Sequence, residues 1–306
     1  MRYVVTGAAG FIGSHLLEML VELEHDAVGW DSFTDYYDPA LKRANARGLP
    51  VERVDLVEDP LDLTGVDGVF HLAGQPGVRS FGDVFPVYVR QNVLATQRLF
   101  EAAAAADTRT VFASSSSVYG DAETYPTPEE TVPRPVSPYG TTKLACEHLA
   151  YAYGRERTLE VVVLRYFNVY GPRQRPDMAF ARMIDCLVAG RSFELYGDGK
   201  QSRSFTYVDD VAIGTLLAME KAPGGSTYNL GGGEEVSVQQ AIELLGAIAG
   251  RPLDVVRSQR VDGDVARTCA DTTRMLAEIG WEASTPVAEG LETQWQWAAD
   301  RVAAAQ

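Results

Sequence analysis

The sequence of 306 residues has only three cysteines, Cys146, Cys186 and Cys269, and no two of them form a CxxC pair. An odd number of widely spaced cysteines predicts neither a disulfide framework nor a zinc site. We therefore expect no bound metal, and a protein that works in a reducing compartment.

Positive charge is also scarce, because the chain has 27 lysines and arginines but 42 aspartates and glutamates, which gives a formal net charge of -15. Nucleic acids and anionic membranes attract clustered lysine and arginine, so this balance argues against both as partners. An anionic substrate would have to be held by a local group of arginines.

Long apolar runs are absent as well, since no stretch approaches the roughly 18 apolar residues that predict a membrane-spanning helix. The amino terminus, MRYVVTGAAGFIGSHLLEML, lacks the basic segment, continuous apolar core and cleavage site of a secretory signal. We therefore predict a cytoplasmic protein without a membrane span.

What the sequence does have is a regular alternation of β-branched runs and helical stretches, in a chain that is 46% apolar. Strands are predicted at 3–6, 27–31, 51–55, 69–72, 110–113 and 160–165. Helices are predicted at 13–24, 84–106 and 138–156. Repeated strand–helix units indicate an α/β fold, with a Rossmann-type doubly wound parallel sheet and helices on both faces.

A glycine-rich turn, TGAAGFIG, places Gly7, Gly10 and Gly13 between the first predicted strand and the first predicted helix. The first glycine permits a tight turn, the second lets backbone amides approach a pyrophosphate, and the third allows close helix–strand packing. Asp31 ends the second strand, where a carboxylate can accept the adenosine ribose hydroxyls and would repel a 2′-phosphate. The pattern predicts NAD as cofactor. Asp55, after the third strand, would contact the adenine amino group or cap a helix.

The second half of the chain is less regular, with frequent glycine and proline after residue 165. Shorter helices are predicted at 176–189, 208–220, 238–249 and 287–299. We predict that residues 1–165 form the NAD-binding domain, to which some later segments return. Residues 166–306 would then form mainly a smaller α/β lobe that binds the substrate.

Tyr139 and Lys143 stand four residues apart in SPYGTTK, near the start of a predicted helix and therefore on one of its faces. A nearby ammonium and a positively charged nicotinamide both favour the phenolate form of a tyrosine. Tyr139 can then remove a proton from a sugar hydroxyl while hydride passes to the cofactor. Without the glycine turn and the serine-rich segment upstream, such a pair would be an ordinary surface or packing feature.

Six motifs follow one another along nearly the whole chain: GAAGFIG, HLAGQPGVR, SSSSVYG, SPYGTTK, RYFNVYGPRQRPDMA and RSFTYVDD. In this order they resemble the extended short-chain dehydrogenase/reductase family, in its nucleotide-sugar epimerase and dehydratase branch. The resemblance implies an enzyme with tightly held NAD, often a homodimer built on a four-helix contact. Two features depart from the pattern: HLAGQP replaces the more usual double-alanine form, and Cys269 stands where an aromatic residue is expected.

The resemblance also implies roles for individual residues. Tyr139, Lys143 and Ser115 would form the catalytic set, with Ser115 bonded to the reacting sugar oxygen. Asn92 would lie near the cofactor, unless it only bridges backbone groups. Further cofactor contacts are expected from Phe11, Ile12, Leu56, Leu72 and Ala73.

For the nucleotide part of the substrate, the resemblance implies a second set of contacts. Asn168 would touch the diphosphate-sugar, Tyr196 would stack on the base, and Arg203 would hold the diphosphate. Arg267 is a weaker candidate for binding the same diphosphate. Each of these arginines could instead be an ordinary solvated surface charge.

The residues before VYG bear on the reaction. Ser116 and Ser117 stand where dehydratases of this branch carry Asp and Glu, and Ser117 stands where UDP-glucuronate decarboxylases carry Glu. A serine does not titrate near neutral pH, so it cannot readily replace a carboxylic acid. We expect Ser115, Ser116 and Ser117 to line the sugar pocket, and the reaction to be epimerisation through a transient 4-keto sugar.

Three stretches, WDSFTDYYDPALKR, AGQPGVR and GPRQRPDMAF, look more like UDP-glucuronate 4-epimerases than UDP-glucose 4-epimerases. A uronate carboxylate should meet a guanidinium, for which Arg175 is the first candidate and Arg79 the second. The predicted reaction interconverts UDP-glucuronate and UDP-galacturonate. Epimerisation of UDP-glucose or UDP-N-acetylglucosamine stays open. So do a decarboxylase, a dehydratase, an alcohol dehydrogenase with net redox and a non-catalytic nucleotide-binding protein.

Overall fold

The computed structural model describes residues 1–77, 81–259 and 267–305. With strands numbered along the chain, its main sheet consists of β1 (Arg2–Thr6), β2 (Asp26–Asp31), β3 (Val51–Arg53), β4 (Gly68–His71), β5 (Arg109–Ser115), β6 (Val161–Tyr166) and β10 (Thr227–Leu230). All neighbours pair in parallel, in the order β10-β6-β5-β4-β1-β2-β3. The predicted doubly wound sheet is confirmed, because the chain runs outward from β1 to β3 and then returns to β4 on the other side of β1. In such sheets ligands bind where the direction reverses, at the carboxyl ends of β1 and β4.

The helices connect and cover these strands: α1 (Phe11–Glu22), α2 (Pro39–Asn45), α3 (Phe85–Tyr88), α4 (Ala95–Ala105), α5 (Pro138–Arg157), α6 (Ala179–Ala189), α7 (Val208–Lys221), α8 (Val238–Ile248), α9 (Thr273–Ile279) and α10 (Val287–Ala305). Within the described ranges, none of them has the length and apolar character needed to cross a membrane.

Two predicted helices differ from the structure. The helix expected at 84–106 is interrupted, because a π-helical stretch, Val89–Leu94, separates α3 from α4. The helix expected from residue 176 begins only at Ala179, since the preceding residues form a turn in which the Met178 amide donates to the Arg175 carbonyl (3.1 Å). Both departures lie next to candidate site residues, where hydrophobic periodicity carries no information about local backbone geometry.

The smaller sheets lie in the second half of the chain. β9 (Ser202–Tyr207) pairs with β7 (Asn168–Tyr170), β11 (Glu235–Ser237) and β13 (Arg267–Thr268), and β8 (Phe193–Tyr196) pairs separately with β12 (Val255–Ser258). β10 follows β7, β8 and β9 in the chain, but it belongs to the main sheet. The domain boundary at residue 165 stays a prediction.

The core follows the two faces of the main sheet. Successive strand residues point to opposite faces, so Val5 packs with helices α1 and α7, whereas Val4 packs with α4 and α5. Leu17 on α1 and Leu99 on α4 are fully buried in these two layers. A parallel sheet buried on both faces is rigid, and it fixes the positions at its carboxyl edge.

Candidate active site

One cleft at the carboxyl edge of the main sheet joins the glycine turn to the start of α5. It is lined by most of the residues predicted for the cofactor and the reaction: Gly7, Gly10, Phe11, Ile12, Gly13, Asp31, Leu56, Leu72, Ala73, Ser115, Tyr139, Lys143 and Arg175. These residues are far apart in sequence and meet only because parallel strands end at the same edge. Tyr37, Lys42 and Gln75 also line the cleft and were not predicted.

The glycine turn has the close contacts that only glycine permits. Gly7 has a φ of +71°, and a Cβ added to it would lie 2.8 Å from the Ala73 amide nitrogen. A Cβ on Gly13 would lie 2.2 Å from the Gly7 carbonyl oxygen. Gly10 caps α1 without a side chain, and the first turn of α1 has no acidic residue. The turn therefore leaves helix amides open to an anion, which fits the pyrophosphate of a dinucleotide.

Asp31 is buried at the end of β2, with both carboxylate oxygens held by backbone amides. Oδ2 accepts from Ala9 N (3.0 Å) and Oδ1 accepts from Phe33 N (2.7 Å). Because each oxygen has a second lone pair, Asp31 can still accept ribose hydroxyls. The Asp55 side chain accepts from Val57 N (2.8 Å) and pairs with Arg90 (3.3 Å), and it lies outside the residues that line the cleft. Its contact with adenine stays a prediction.

A buried histidine supports the floor of the cleft. His71 Nδ1 lies 2.8 Å from Thr6 Oγ1, and Nε2 lies 2.9 Å from Thr96 Oγ1. Thr6 Oγ1 also accepts from the amide of Ala73, a cleft residue (3.1 Å). Burial and, second, the charge of Lys143 lower the pKa of His71 to about 3, so the imidazole is neutral at neutral pH.

Asn92 lies in the π-helical stretch, behind the cleft wall. Its Oδ1 accepts from Gln75 N (2.7 Å), and its Nδ2 donates to Gln75 O (3.2 Å) and Thr142 Oγ1 (3.0 Å). The Asn92 side chain therefore bonds to both backbone groups of Gln75, as in the second of the two roles predicted for it. Its direct contact with the cofactor stays a prediction. Through Gln75 and Thr142, Asn92 ties the loop after β4 to α5, one residue from Lys143.

Helix α5 presents the tyrosine and the lysine to the cleft. Ser137 caps it by accepting from Gly140 N (3.1 Å). Lys143 is buried, its Nζ donates to the Ala113 carbonyl of β5 (2.8 Å), and it lies 6.0 Å from the centre of the Tyr139 ring. Gly140 was not predicted as important, yet a Cβ there would lie 2.4 Å from the Ser117 carbonyl oxygen. Its lack of a side chain lets the start of α5 approach the serines.

The serine-rich segment is the end of β5 followed by a short 3-10 turn, Ser116–Val118. Ser115 Oγ donates to Ser117 Oγ and accepts from Ser117 N, both at 3.1 Å. Ser114 and Ser115 line the cleft, whereas Ser116 and Ser117 do not. Ser114 donates to Glu147, which pairs with Arg165 (2.8 Å) in a buried ion pair beneath the segment. The backbone that carries Ser115 is thus anchored from below.

Arg175 reaches the same cleft as Tyr139 and is the guanidinium predicted for the sugar carboxylate. Its Nε and Nη2 donate to the two carboxylate oxygens of Asp177, at 3.0 and 3.1 Å. The hydroxyl of Tyr36 donates to the same carboxylate (3.3 Å). A substrate carboxylate would therefore bind the remaining N–H groups of Arg175 or compete with Asp177.

The four candidates for the nucleotide part of the substrate lie outside the cleft wall. Asn168 donates to Thr268 Oγ1 (2.7 Å) across the small sheet, where Arg203 is registered with Thr268. Arg267 donates through two nitrogens to Glu235, both at 2.7 Å. Tyr196 is on the separate β8–β12 pair, and its hydroxyl donates to Glu194 (2.8 Å). Arg79, and the segment from Arg260 to Asp264, lie outside the described residues.

Comparisons with known proteins match this chain over most of its length. The model of the NAD dependent epimerase/dehydratase family matches residues 3–231. YtcB of Bacillus subtilis, an uncharacterized UDP-glucose epimerase, is 40% identical, with 96% of each chain covered. The UDP-glucuronate 4-epimerase of Thermodesulfobacterium geofontis is 34% identical, over 98% of this chain and 97% of the relative. The solved UDP-glucuronic acid 4-epimerase of Bacillus cereus, in complex with UDP-glucuronic acid and NAD, is 36% identical with a TM-score of 0.93, over 99% and 100% of the two chains.

Proposed function

The chain belongs to the NAD dependent epimerase/dehydratase family, and from this we propose that it is an NAD-dependent UDP-glucuronate 4-epimerase, an isomerase that interconverts UDP-glucuronate and UDP-galacturonate. The relatives with this activity cover nearly the whole chain, and the fold carries the dinucleotide turn that the reaction requires.

The observation that carries the proposal is the charge of the cleft wall. Among the described residues that line it, Asp31 is the only carboxylate, and it lies on β2, three strands away from Ser115 on β5. Near Tyr139 the wall instead offers Ser114, Ser115 and the guanidinium of Arg175. A dehydratase or a decarboxylase needs an acid at the sugar, and serines cannot supply one.

The residues can be given roles in the reaction. When bound, NAD would supply reversible hydride transfer at C4 of the sugar, and hydride return to the opposite face would regenerate the cofactor in each turnover. Tyr139 takes the C4 hydroxyl proton as hydride leaves and gives it back after the 4-keto sugar has turned. The ammonium of Lys143 is the neighbouring charge, 6.0 Å from the centre of the Tyr139 ring, and Ser115 donates to the C4 oxygen. Arg175 holds the C6 carboxylate, which protects the β-keto acid from losing carbon dioxide.

The test is incubation with UDP-glucuronate and identification of the product by proton NMR. We expect UDP-galacturonate, without accumulation of NADH. UDP-xylose, or a 4-keto-6-deoxy sugar, as main product would overturn the proposal. NADH formed in proportion to product would indicate net oxidation. If neither the wild type nor Tyr139→Phe converts any UDP-sugar tested, the protein would be a non-catalytic nucleotide-binding protein.

A second candidate is 4-epimerisation of UDP-glucose, favoured by two observations. The B. subtilis relative is described by that substrate, and Arg175 is already paired with Asp177. Competition between UDP-glucose and UDP-glucuronate in one sample separates the two. Arg175→Ala should abolish the preference for the uronate if the guanidinium holds its carboxylate, and should leave the relative rates unchanged if UDP-glucose is the substrate.

The remaining site assignments form part of the same proposal. Residues 1–165 would bind NAD, with Asp55 near the adenine and Asn92 positioning the loop that faces the cofactor. Residues 166–306 would mainly bind the substrate, with Asn168, Arg203 and Arg267 toward its diphosphate and Tyr196 toward its base. Ser116 and Ser117 would face the sugar once it is bound, and Arg79 is the second candidate, after Arg175, for the guanidinium that meets its carboxylate.

We also propose that the protein acts in the cytoplasm as a homodimer. All three cysteines are unpaired thiols, as expected in a reducing compartment. In the segment from Gly82 to Leu94, five apolar side chains are 36–44% exposed: Val84, Phe85, Val87, Val89 and Leu94. A group of exposed apolar side chains of this kind is typical of a protein–protein interface. Helices α4 and α5 pack against this segment. Sedimentation analysis should give twice the chain mass, and Phe85→Glu with Leu94→Glu should lower it to that of one chain.

A further inference from the structure

Lys42 is a buried cation that no carboxylate contacts, although Asp31 and Asp35 lie near enough for their charges to act on it. It is only 7% exposed on α2, where its Nζ donates to Thr34 Oγ1 (2.8 Å) and lies 4.9 Å from the centre of the Tyr37 ring. In the described part of the chain, no carboxylate oxygen lies within 4.0 Å of Nζ. An ammonium has three N–H donors, and a buried charge that lacks a close counter-ion is costly. Burial lowers the pKa of Lys42, and the charges of Asp31 and Asp35 only partly oppose this shift.

Tyr37, beside it, has a buried hydroxyl that forms no hydrogen bond within the described chain. Burial raises the pKa of Tyr37 to about 12, so the hydroxyl keeps its proton and is a donor. Buried hydroxyls are almost always hydrogen-bonded, and an orphaned one indicates a partner from outside the protein. Both Tyr37 and Lys42 line the cleft that contains Asp31 and the glycine turn.

We propose that Lys42 and Tyr37 bind the diphosphate of the dinucleotide in this cleft, as a charged and a neutral donor that complement the helix amides after the glycine turn. A phosphate oxygen would give the ammonium its counter-ion and the phenol its acceptor at the same time. The loop between β2 and α2 would then hold the cofactor, which explains how a cofactor that is oxidised and reduced in each cycle stays bound. The inference rests on the proposed use of NAD and not on the identity of the sugar.

The test is binding of NAD to the purified protein, measured by calorimetry and by the NAD content after purification. Lys42→Met keeps the apolar stem and removes the charge, and Tyr37→Phe removes one oxygen only. We expect the Kd for NAD to rise roughly 10- to 100-fold in Lys42→Met and roughly 3- to 10-fold in Tyr37→Phe. The matched control is Tyr228→Phe, which lies outside the residues that line the cleft and whose hydroxyl already donates to Glu278 (2.6 Å). It should change the Kd by less than about twofold.

Simpler ligands identify the group that is bound. ADP-ribose should show the same losses as NAD, whereas adenosine, which has no phosphate, should bind wild type and variants alike. Unchanged NAD binding in both folded variants would overturn the inference, as would an equal loss in Tyr228→Phe or an equal loss for adenosine. Weaker binding of UDP but not of ADP-ribose would assign the pair to the substrate instead, and would also overturn it.

The two proposals fail separately. If the variants lose NAD but the wild type does not epimerise UDP-glucuronate, the function is wrong and the cofactor contact stands. If the wild type epimerises UDP-glucuronate but both substitutions leave the NAD affinity unchanged, the proposed contact is wrong and the proposed function stands. Tyr37→Phe keeps the ring against which Lys42 packs, so it remains informative even if Lys42→Met does not fold.

Discussion

At the edge of the main sheet, the candidate residues Gly13, Asp31, Ser115 and Tyr139 line one cleft. The candidates Asn168, Tyr196, Arg203 and Arg267, in the proposed substrate lobe, lie outside its wall. The first group is held by backbone geometry, through parallel strands, glycine contacts and a capped helix. The second group also lies on paired strands, but several of its side chains are bonded to other side chains, as Arg267 is to Glu235. Substitutions at the sheet edge should therefore damage chemistry or folding, whereas those in the lobe should change substrate affinity.

The largest effect is expected at Tyr139, the general base of the proposed reaction. Tyr139→Phe should lower kcat by about 10² to 10⁴, because it removes the group that accepts the sugar proton. NAD content should remain that of the wild type, since the ring is retained. Epimerisation followed by NMR is the measurement. A variant that keeps more than about a tenth of the wild-type rate would show that another group takes the proton.

A pair of glycines tests whether the sheet edge is tighter than the lobe. Gly13→Ala in α1 places a Cβ 2.2 Å from the Gly7 carbonyl, so it should cost about 1–3 kcal/mol in the free energy of unfolding and weaken NAD binding. Gly246→Ala in α8 meets its nearest atom at 3.4 Å and should stabilise the protein by roughly 0.5–1 kcal/mol. Denaturant titration measures both. Equal effects at the two positions would contradict the comparison.

The sheet edge could be predicted from sequence because its residues follow rules of short range. Gly7, Gly10 and Gly13 have a fixed spacing after a strand, and Tyr139 and Lys143 share one helical face. Tyr37 and Lys42 could not be found in this way, since their significance lies in a missing partner, and a missing partner is visible only once the surroundings are folded. Resemblance to UDP-glucuronate 4-epimerases singled out WDSFTDYYDPALKR as a motif, but it could not show that Lys42 is buried within it.

The lobe was harder to predict for a related reason. Its strands are short, and β13 pairs with β9 although the two are far apart in the chain, with Arg267 registered with Ser202. Motif position assigned Arg203 and Arg267 to a ligand, yet Arg267 is paired with Glu235, and β11 brings that glutamate to it only in the folded chain. The π-helical stretch that contains Asn92 was likewise invisible, because a single wider turn leaves the apolar pattern almost unchanged.

His71 gives the sheet edge a pH dependence of stability. In the unfolded chain its pKa is near the ordinary value of 6.5, and in the folded protein it is lowered to about 3. The unfolded state therefore binds the proton first as pH falls, so the stability present above pH 6.5 is lost progressively toward pH 3. The loss should reach about 2 kcal/mol at pH 5. Denaturant titrations from pH 7 to 5 should show it, with a flatter profile in His71→Gln; parallel profiles would exclude His71 as the source.

The smallest change in stability is expected in the lobe, at Arg267. Its pair with Glu235 is exposed, so Arg267→Ala should leave Tm nearly unchanged. If Arg267 also holds the substrate diphosphate, KM for the UDP-sugar should rise roughly tenfold while kcat and NAD content stay the same. Arg191→Ala, which breaks another exposed pair in the lobe, with Asp185, is the matched control and should leave KM alone. A fall in kcat without a change in KM would place Arg267 with the sheet edge and remove the contrast between the two regions.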